Sequence, residues 1–267
     1  MPTFLFWNLQ KKPLLPRVER LVRVHAVDVL ILAECAESAG RVAAQLGNGW
    51  HVPANPNLRF AVLLRDDELG LTSVFDDLSE RLSIKRLTKA GELPLQLALV
   101  HLLAWNNRVE SDLSSVAQRL AGLLREKEQS EGLTRTVLVG DFNLSPFDAA
   151  MVSGEIFHGL MTRRLAARHD GRTIQGEKRR TFYNPMWQFL TDRDDRPAGT
   201  YYRRASEPLN HFWYAYDQVL VRPELEDKLR DVDILETDGT ESLLTGQGWP
   251  DAKSGSDHLP LLFRLDW

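Results

Sequence analysis

The sequence has too few cysteines for a disulfide-bonded protein, and it has no long apolar run. Cys35 is the only cysteine among 267 residues, so no disulfide can form within the chain, and this predicts a reducing compartment. The longest apolar stretch, 95–105, is interrupted by Gln96 and His101 and is too short to cross a bilayer. We therefore expect a cytoplasmic protein with no membrane insertion.

The sequence also lacks an overall excess of positive charge. A net charge of −4, with 43% hydrophobic and 26% charged residues, is typical of a globular chain and does not indicate a nucleic-acid binder. Basic residues are nevertheless concentrated in 163–180, which ends in Lys178, Arg179 and Arg180. A local basic patch can bind phosphates on an acidic chain, so these three residues are predicted substrate contacts. A solvated loop is the alternative explanation for the same run.

Apolar patterning predicts many strands and few helices. The predicted strands are 4–8, 28–32, 59–65, 81–87, 95–103, 136–139, 213–221 and 261–265. Predicted helices are 14–25, 111–128 and a short one capped by Ser145, with Asp148 completing a capping box. Strands in neighbouring runs favour an α+β fold, with sheets packed face to face and helices outside, in a single domain over 1–267. The weakly periodic stretch 154–207 is where a substrate-specific insertion would lie.

Polar side chains recur where the predicted strands end. They are Asn8, Glu34, His101, Asp141, Asn143, Asp217, Asp257 and His258. Because strand ends at one edge of a sheet can converge, we expect these groups to form one site. Carboxylate and amide oxygens suit Mg²⁺, and imidazoles suit an anionic substrate. Taken singly, each residue has an ordinary structural explanation, such as a core histidine for His101 or a turn former for Asn143.

Six segments resemble the endonuclease/exonuclease/phosphatase superfamily, the deoxyribonuclease I-like metal-dependent phosphoesterases. They occur in family order as FWNL (6–9), LILAE (30–34), VHL (100–102), VGDFN (139–143), YDQVL (216–220) and GSDHLP (255–260). The resemblance implies a four-layer α/β sandwich, built from two mostly antiparallel sheets, with the site at one end of the sheets. The sequence departs from the family at Ala33, where many members have glutamine, and at Cys35-Ala36, which counts against abasic-site repair.

The resemblance also implies a role for each matching residue. Glu34 would be the principal metal ligand, assisted by Asn8 and Asp257, with Mg²⁺ as the metal and Mn²⁺ as a substitute. The other five would be catalytic. Asp141 would orient or deprotonate the attacking water, Asn143 and His101 would hold phosphate oxygens, and Asp217 would orient His258 against the scissile phosphate. Either Asp141 or His258 would be the general base.

Nucleic acid is the predicted substrate, since aromatic residues accompany the basic run. They are Trp187, Phe189, Tyr201, Tyr202, Phe212, Trp213, Tyr214 and Tyr216. Aromatic faces stack on bases while arginine and lysine track phosphates; packing in the core is the alternative for the same residues. Two other functions remain open: a phosphatase or phosphodiesterase acting on a lipid headgroup, inositol phosphate or small nucleotide, and a non-catalytic binding module.

Overall fold

Thirteen strands of the computed structural model form two large sheets. The model describes residues 1–54, 57, 59–65, 68–104, 110–168, 170–191, 196–206, 208 and 210–267. The first sheet contains β1 (Thr3–Asn8), β2 (Val29–Ala33), β3 (Trp50–His51), β4 (Phe60–Arg65), β16 (Leu229–Ile234) and β17 (Leu261–Leu265). Its strand order is β16-β17-β1-β2-β4-β3, and β1 and β2 are its parallel pair.

The second sheet has seven strands. They are β5 (Leu69–Asp76), β6 (Leu82–Lys89), β7 (Leu95–His101), β8 (Thr136–Asp141), β9 (Gly159–Leu160), β12 (Phe182–Tyr183) and β15 (Asp217–Val221). Their order is β5-β6-β7-β8-β15-β12-β9, and only β7–β8 and β9–β12 are parallel among the described pairs. Two ribbons complete the strands: β10 (Gly171–Ile174) with β11 (Glu177–Arg180), and β13 (Tyr201–Tyr202) with β14 (Trp213–Tyr214).

Helices cover the outer faces of the two sheets. They are α1 (Leu15–Val24), α2 (Ala39–Leu46), α3 (Glu110–Glu131), α4 (Ala149–Val152) and α5 (Arg163–Arg168), with 3-10 turns at Pro185–Phe189 and Pro223–Leu225. Strand alternation divides the core. Leu97 and Leu99 of β7 pack with the first sheet, whereas Ala98 and Val100 belong to the cluster that buries α3. The predicted layered sandwich of two mostly antiparallel sheets is confirmed.

The strand register brings the polar strand ends together. In the second sheet, Asp141 at the end of β8 lies opposite both His101 of the parallel β7 and Asp217, the first residue of the antiparallel β15. In the first sheet, Asn8 ends β1 opposite Ala33, so Glu34 follows directly. The segment that carries Asp257 and His258 leads into β17, which pairs with β1. One edge of the sandwich therefore collects all these side chains.

Gly140 permits the close approach of β7 and β8. Its φ is +152°, and a Cβ atom there would lie 1.8 Å from the carbonyl oxygen of Val100. Any side chain would force apart the two strands that end at His101 and Asp141. The close approach of the two strands therefore explains why the VGDFN motif has glycine at position 140.

Two predicted elements were wrong in detail. Ser145 does not cap a helix, because its hydroxyl has no hydrogen-bond partner among the described residues, and Asp148 is the N-cap of α4. The carboxylate of Asp148 does accept a 2.7 Å hydrogen bond from the Ser145 backbone N–H, which closes a turn before the helix. The expected strand 213–221 is two strands, because β14 pairs in the ribbon with β13 and β15 pairs with β8.

Candidate active site

A cleft of about 240 Å³ opens where the two sheets bring their polar strand ends together. Seven of the predicted site residues line it: Asn8, Glu34, His101, Asp141, Asn143, Asp257 and His258. Asp217 lies behind His258 and is fully buried. All eight predicted catalytic and metal residues are thus brought together.

Asp141 lies at the centre of the site and is almost completely buried. Its Oδ1 accepts from the Asn143 backbone N–H at 2.9 Å, and its Oδ2 accepts from Asn8 Nδ2 at 3.0 Å. The Nε2 atoms of His101 and His258 lie 3.7 and 4.0 Å from the same Oδ2. These contacts fix the carboxylate and leave it facing both imidazoles across the cleft.

His258 and Asp217 form a buried acid–imidazole pair. His258 Nδ1 and Asp217 Oδ2 are 2.7 Å apart, the Asp217 backbone N–H donates to Thr200 Oγ1, and Trp7 Nε1 donates to the His258 carbonyl. Burial alone would lower the pKa of His258, but the carboxylates of Asp217, Asp141 and Asp257 outweigh it and raise that pKa. The ring is therefore held in its charged form, with Nε2–H directed into the cleft.

Glu34 has a strained backbone. Its φ is +46°, a left-handed value that is uncommon for a residue with a side chain. Its carbonyl accepts from the Lys11 backbone N–H at 2.8 Å, which continues the β1–β2 pairing past the ends of the strands. Its Oε1 lies 3.6 Å from His101 Nε2. With this backbone, the Glu34 side chain lines the cleft.

The donor set fits a hard divalent cation. Glu34, Asp141 and Asp257 face one cleft, and among its described lining residues Arg203 is the only arginine or lysine. Carboxylate and amide oxygens of this kind are the ligands of Mg²⁺, whose charge offsets the repulsion between the clustered acids. Gln10 Nε2 holds Asp257 Oδ2 at 2.7 Å, and the Gln10 backbone N–H holds Asn8 Oδ1 at 3.0 Å. The side chains are thus oriented by neighbouring groups, as metal ligands commonly are.

A cation can also be placed among Asp141, Asp217 and His258, whose ligand atoms lie within 4.8 Å of one another. Two of those atoms are already joined in the 2.7 Å contact between His258 and Asp217. A metal there would have to break that pair within a buried site. Glu34 and Asp257 are half-buried and line the cleft, so their carboxylates are more accessible to a cation than that buried pair.

Aromatic rings form one wall of the cleft. Tyr201 stacks on Tyr216 with ring centroids 5.2 Å apart, and its ring lies 4.9 Å from that of His258. Arg203, two residues after Tyr201, lines the same wall. Its backbone N–H bonds the Phe212 carbonyl at 2.8 Å, which closes the ribbon. Sequence reasoning missed Arg203, because only the ribbon pairing places it beside the strand ends.

The structure does not bring Lys178, Arg179 and Arg180 to the cleft. Arg180 donates to the Thr134 carbonyl, which precedes β8, whereas Asp141 ends that strand. Five residue steps at about 3.3 Å each separate the two ends of β8 by roughly 17 Å. Each of the three basic residues also has an ion pair: Lys178 with Asp170, Arg179 with Glu177, and Arg180 with Glu224. These paired residues therefore fit the alternative explanation, a solvated loop, better than a substrate-binding patch.

No family model matches the sequence, and no curated relative matches it. Solved structures do match. An AP endonuclease from Archaeoglobus fulgidus is 14% identical, with all of each chain covered and a TM-score of 0.58. The 3′ phosphatase NExo from Neisseria, bound to a product DNA hairpin, is 19% identical over all of each chain, with a TM-score of 0.58. TDP2 from D. rerio, complexed with a single-strand DNA product, is 14% identical over 98% of this chain and 97% of that one, with a TM-score of 0.56.

These similarities establish the fold. The chain has the deoxyribonuclease I-like α/β sandwich fold and shares it with these structures, so the fold that the six sequence segments implied is confirmed. The described helices include none that is long and apolar enough to cross a membrane.

Proposed function

We propose that the protein is a divalent-metal-dependent phosphodiester hydrolase that acts on nucleic acid by attack of water on phosphorus. The observation that carries the proposal is the convergence of Asp141, the His258–Asp217 pair and the acids Glu34 and Asp257 on one cleft. A fold shared with structures that hold DNA products supports the choice of nucleic acid.

Glu34, Asn8 and Asp257 would hold Mg²⁺, or Mn²⁺ in its place. The bound ion supplies Lewis-acid stabilisation of the charge that develops on the phosphate oxygens. Neighbouring groups hold two of these residues: the hydroxyl of Ser256 donates to the Asn8 carbonyl at 2.6 Å, and Gln10 Nε2 donates to Asp257 Oδ2.

The remaining side chains divide the work by position. Asp141 faces both imidazoles and is held by two donors, so it is placed to orient the attacking water and accept its proton. His258 donates from Nε2 to a non-bridging oxygen, with its ring orientation and positive charge stabilised by Asp217. His101 and Asn143 supply further donors; the Asn143 amide is anchored on the Leu102 carbonyl. Fixed donors aimed at developing charge lower the barrier electrostatically.

A substrate panel tests this function. Plasmid DNA, single-stranded DNA, RNA and a chromogenic phosphodiester are each incubated with the protein in Mg²⁺, and again in EDTA. We expect hydrolysis of at least one nucleic acid and of the chromogenic ester in Mg²⁺, and none in EDTA. Full activity in chelator contradicts the metal requirement. Cleavage confined to inositol phosphates, lipid headgroups or small nucleotides, added as a second panel, contradicts the choice of nucleic acid.

A further inference from the structure

A second cleft adjoins the active site and shares two of its residues. It has a volume of about 360 Å³ and lies on the other side of Glu34 and His101, which belong to both clefts. The wall of this second cleft also contains Lys11, Cys35, Arg59 and Glu80. Because the two clefts share Glu34 and His101 as lining residues, a strand whose reacting phosphate lies in the first cleft can reach the second.

We propose, building on the hydrolase function above, that Lys11 and Arg59 bind a second phosphate of the same substrate strand, next to the phosphate that is cleaved. Two cations in one cleft match a phosphodiester anion: guanidinium offers a planar fork of donors and ammonium a point charge. Neither side chain has an ion pair within the described part of the chain, unlike Lys178, Arg179 and Arg180.

Arg59 has an unmet hydrogen-bonding group at this position. Its Nε atom is buried and has no partner among the described residues. Its backbone N–H is held at 2.9 Å by Oδ1 of the buried Asn57, whose amide in turn donates to the Glu80 carbonyl. A buried donor without a partner is destabilising, so the site gains when an anion supplies the acceptor.

The backbone that carries Lys11 is strained and fixed. Gln10 and Lys11 have φ values of +52° and +56°, and Glu34, which accepts from the Lys11 N–H, is at +46°. Left-handed residues with side chains are unfavourable and persist where the surrounding structure holds them in place. In this turn Gln10 donates to the Asp257 carboxylate and Lys11 lines the second cleft.

A chemical double-mutant cycle tests the proposal. Binding of short labelled single strands is measured in an Asp141→Asn background with Mg²⁺, so that the substrate persists, and each strand has one linkage replaced by a neutral methylphosphonate. With Lys11 and Arg59 intact, a methylphosphonate at one linkage beside the scissile position should weaken binding about tenfold. That is the scale of one charged hydrogen-bonded contact. In Lys11→Ala/Arg59→Ala protein the same replacement should have no effect.

Salt dependence gives a second readout. Removing one phosphate contact on a single strand should reduce the slope of log affinity against log salt by about 0.7. The control is Lys228→Ala/Arg230→Ala, which removes two cations at the start of β16, on the opposite edge of the first sheet. This variant should leave both the methylphosphonate effect and the salt dependence unchanged. If every methylphosphonate position affects Lys11→Ala/Arg59→Ala protein as it affects the parent, the second phosphate site is refuted. Failure of the hydrolase function itself is seen separately, as absence of diester cleavage by the wild-type protein.

Discussion

At the scale of single residues, the site separates the groups that act on the reacting atoms from those that orient them. Asp141 and His258 line the cleft, whereas Asp217 lies wholly behind the imidazole and reaches the cleft only through it. This arrangement predicts that changes to Asp217 act through His258. It also predicts that a conservative change at either contact residue affects the rate and leaves the fold intact.

We expect His258→Ala to lower the rate of diester hydrolysis by about 10²–10³-fold, the usual contribution of a fixed donor to developing charge. Asp217→Asn should also be slow, because the ring then loses the carboxylate that orients it and stabilises its positive charge. Groups acting as one unit are not additive, so adding Asp217→Asn to His258→Ala should cost little more. Steady-state rates of the three variants measure this, with circular dichroism to confirm folding. Fully additive losses would refute the pairing.

The buried carboxylate of Asp238 is expected to stabilise the folded protein. Its side chain is fully buried and is bonded to Arg17 at 3.2 Å and to Arg20 at 2.6 Å. Burial alone would raise the pKa of Asp238, but Arg20 and the backbone N–H groups of Glu241 and Thr240 lower it. The folded-state pKa therefore lies below the unfolded value of about 3.9, so this stabilisation is present above that pH and is lost as pH falls through the folded pKa.

We expect Asp238→Asn to lower the free energy of unfolding at neutral pH by about 3 kcal/mol, because it leaves two arginines without their shared buried carboxylate. The stability of the variant should also fall less steeply in acid. Urea unfolding across a pH series measures both effects. The matched control is Glu241→Gln: Glu241 pairs with the same two arginines through a side chain 59% exposed, and such a pair contributes only about 0–1 kcal/mol. Equal losses in the two variants would contradict the role given to burial.

At the scale of elements, the parallel pair β7–β8 sets the geometry of the site, because His101 and Asp141 are register partners at its end. The sequence motifs predict these positions well, because the local apolar pattern indicates where each strand ends and which polar residue follows it. They do not predict the left-handed turn at Gln10 and Lys11, nor the pairing of β13 with β14 that brings Arg203 to the cleft. Those features depend on contacts between segments far apart in the chain.

Gly140→Ala should therefore damage both stability and activity. The added methyl would lie 1.8 Å from the Val100 carbonyl oxygen, so the strands must separate. We expect a loss of at least about 1–3 kcal/mol, the scale of overpacking, and reduced diester hydrolysis in whatever protein folds. Gly122→Ala in α3 is the control, since its methyl meets only Arg125 at 4.0 Å and should stabilise by roughly 0.5–1 kcal/mol. A folded Gly140→Ala protein with normal stability would contradict the close approach.

At the scale of the whole molecule, charge is distributed unevenly between the two ends of the sandwich. The acids of the cleft lie at one end, with Lys11, Arg59 and Arg203 beside them. At the other end, Lys178, Arg179 and Arg180 pair with Asp170, Glu177 and Glu224. Sequence alone identified the run but not its neutralisation, because Glu224 is far from Arg180 in the chain and meets it only in the fold.

Neutralising Lys178, Arg179 and Arg180 together should consequently change nucleic-acid binding very little. Exposed ion pairs contribute about 0–1 kcal/mol, so the fold should tolerate the triple alanine variant. Binding to single-stranded DNA over a range of salt concentrations measures the effect, with Lys11→Ala/Arg59→Ala as the comparison expected to change. A clearly flatter salt dependence in the triple variant would restore the basic run to the substrate-binding surface.

The role of Asp141 in activating water for metal-dependent attack on a phosphodiester is tested most directly by one measurement. It is the rate of diester hydrolysis by wild-type and Asp141→Asn protein in saturating Mg²⁺, on single-stranded DNA and on a chromogenic ester. The substitution keeps the shape and hydrogen-bonding capacity of the side chain but removes the carboxylate, so the rate should fall by at least about 10²-fold on both substrates while the protein stays folded. A folded Asp141→Asn protein that hydrolyses either substrate at the wild-type rate would contradict the account.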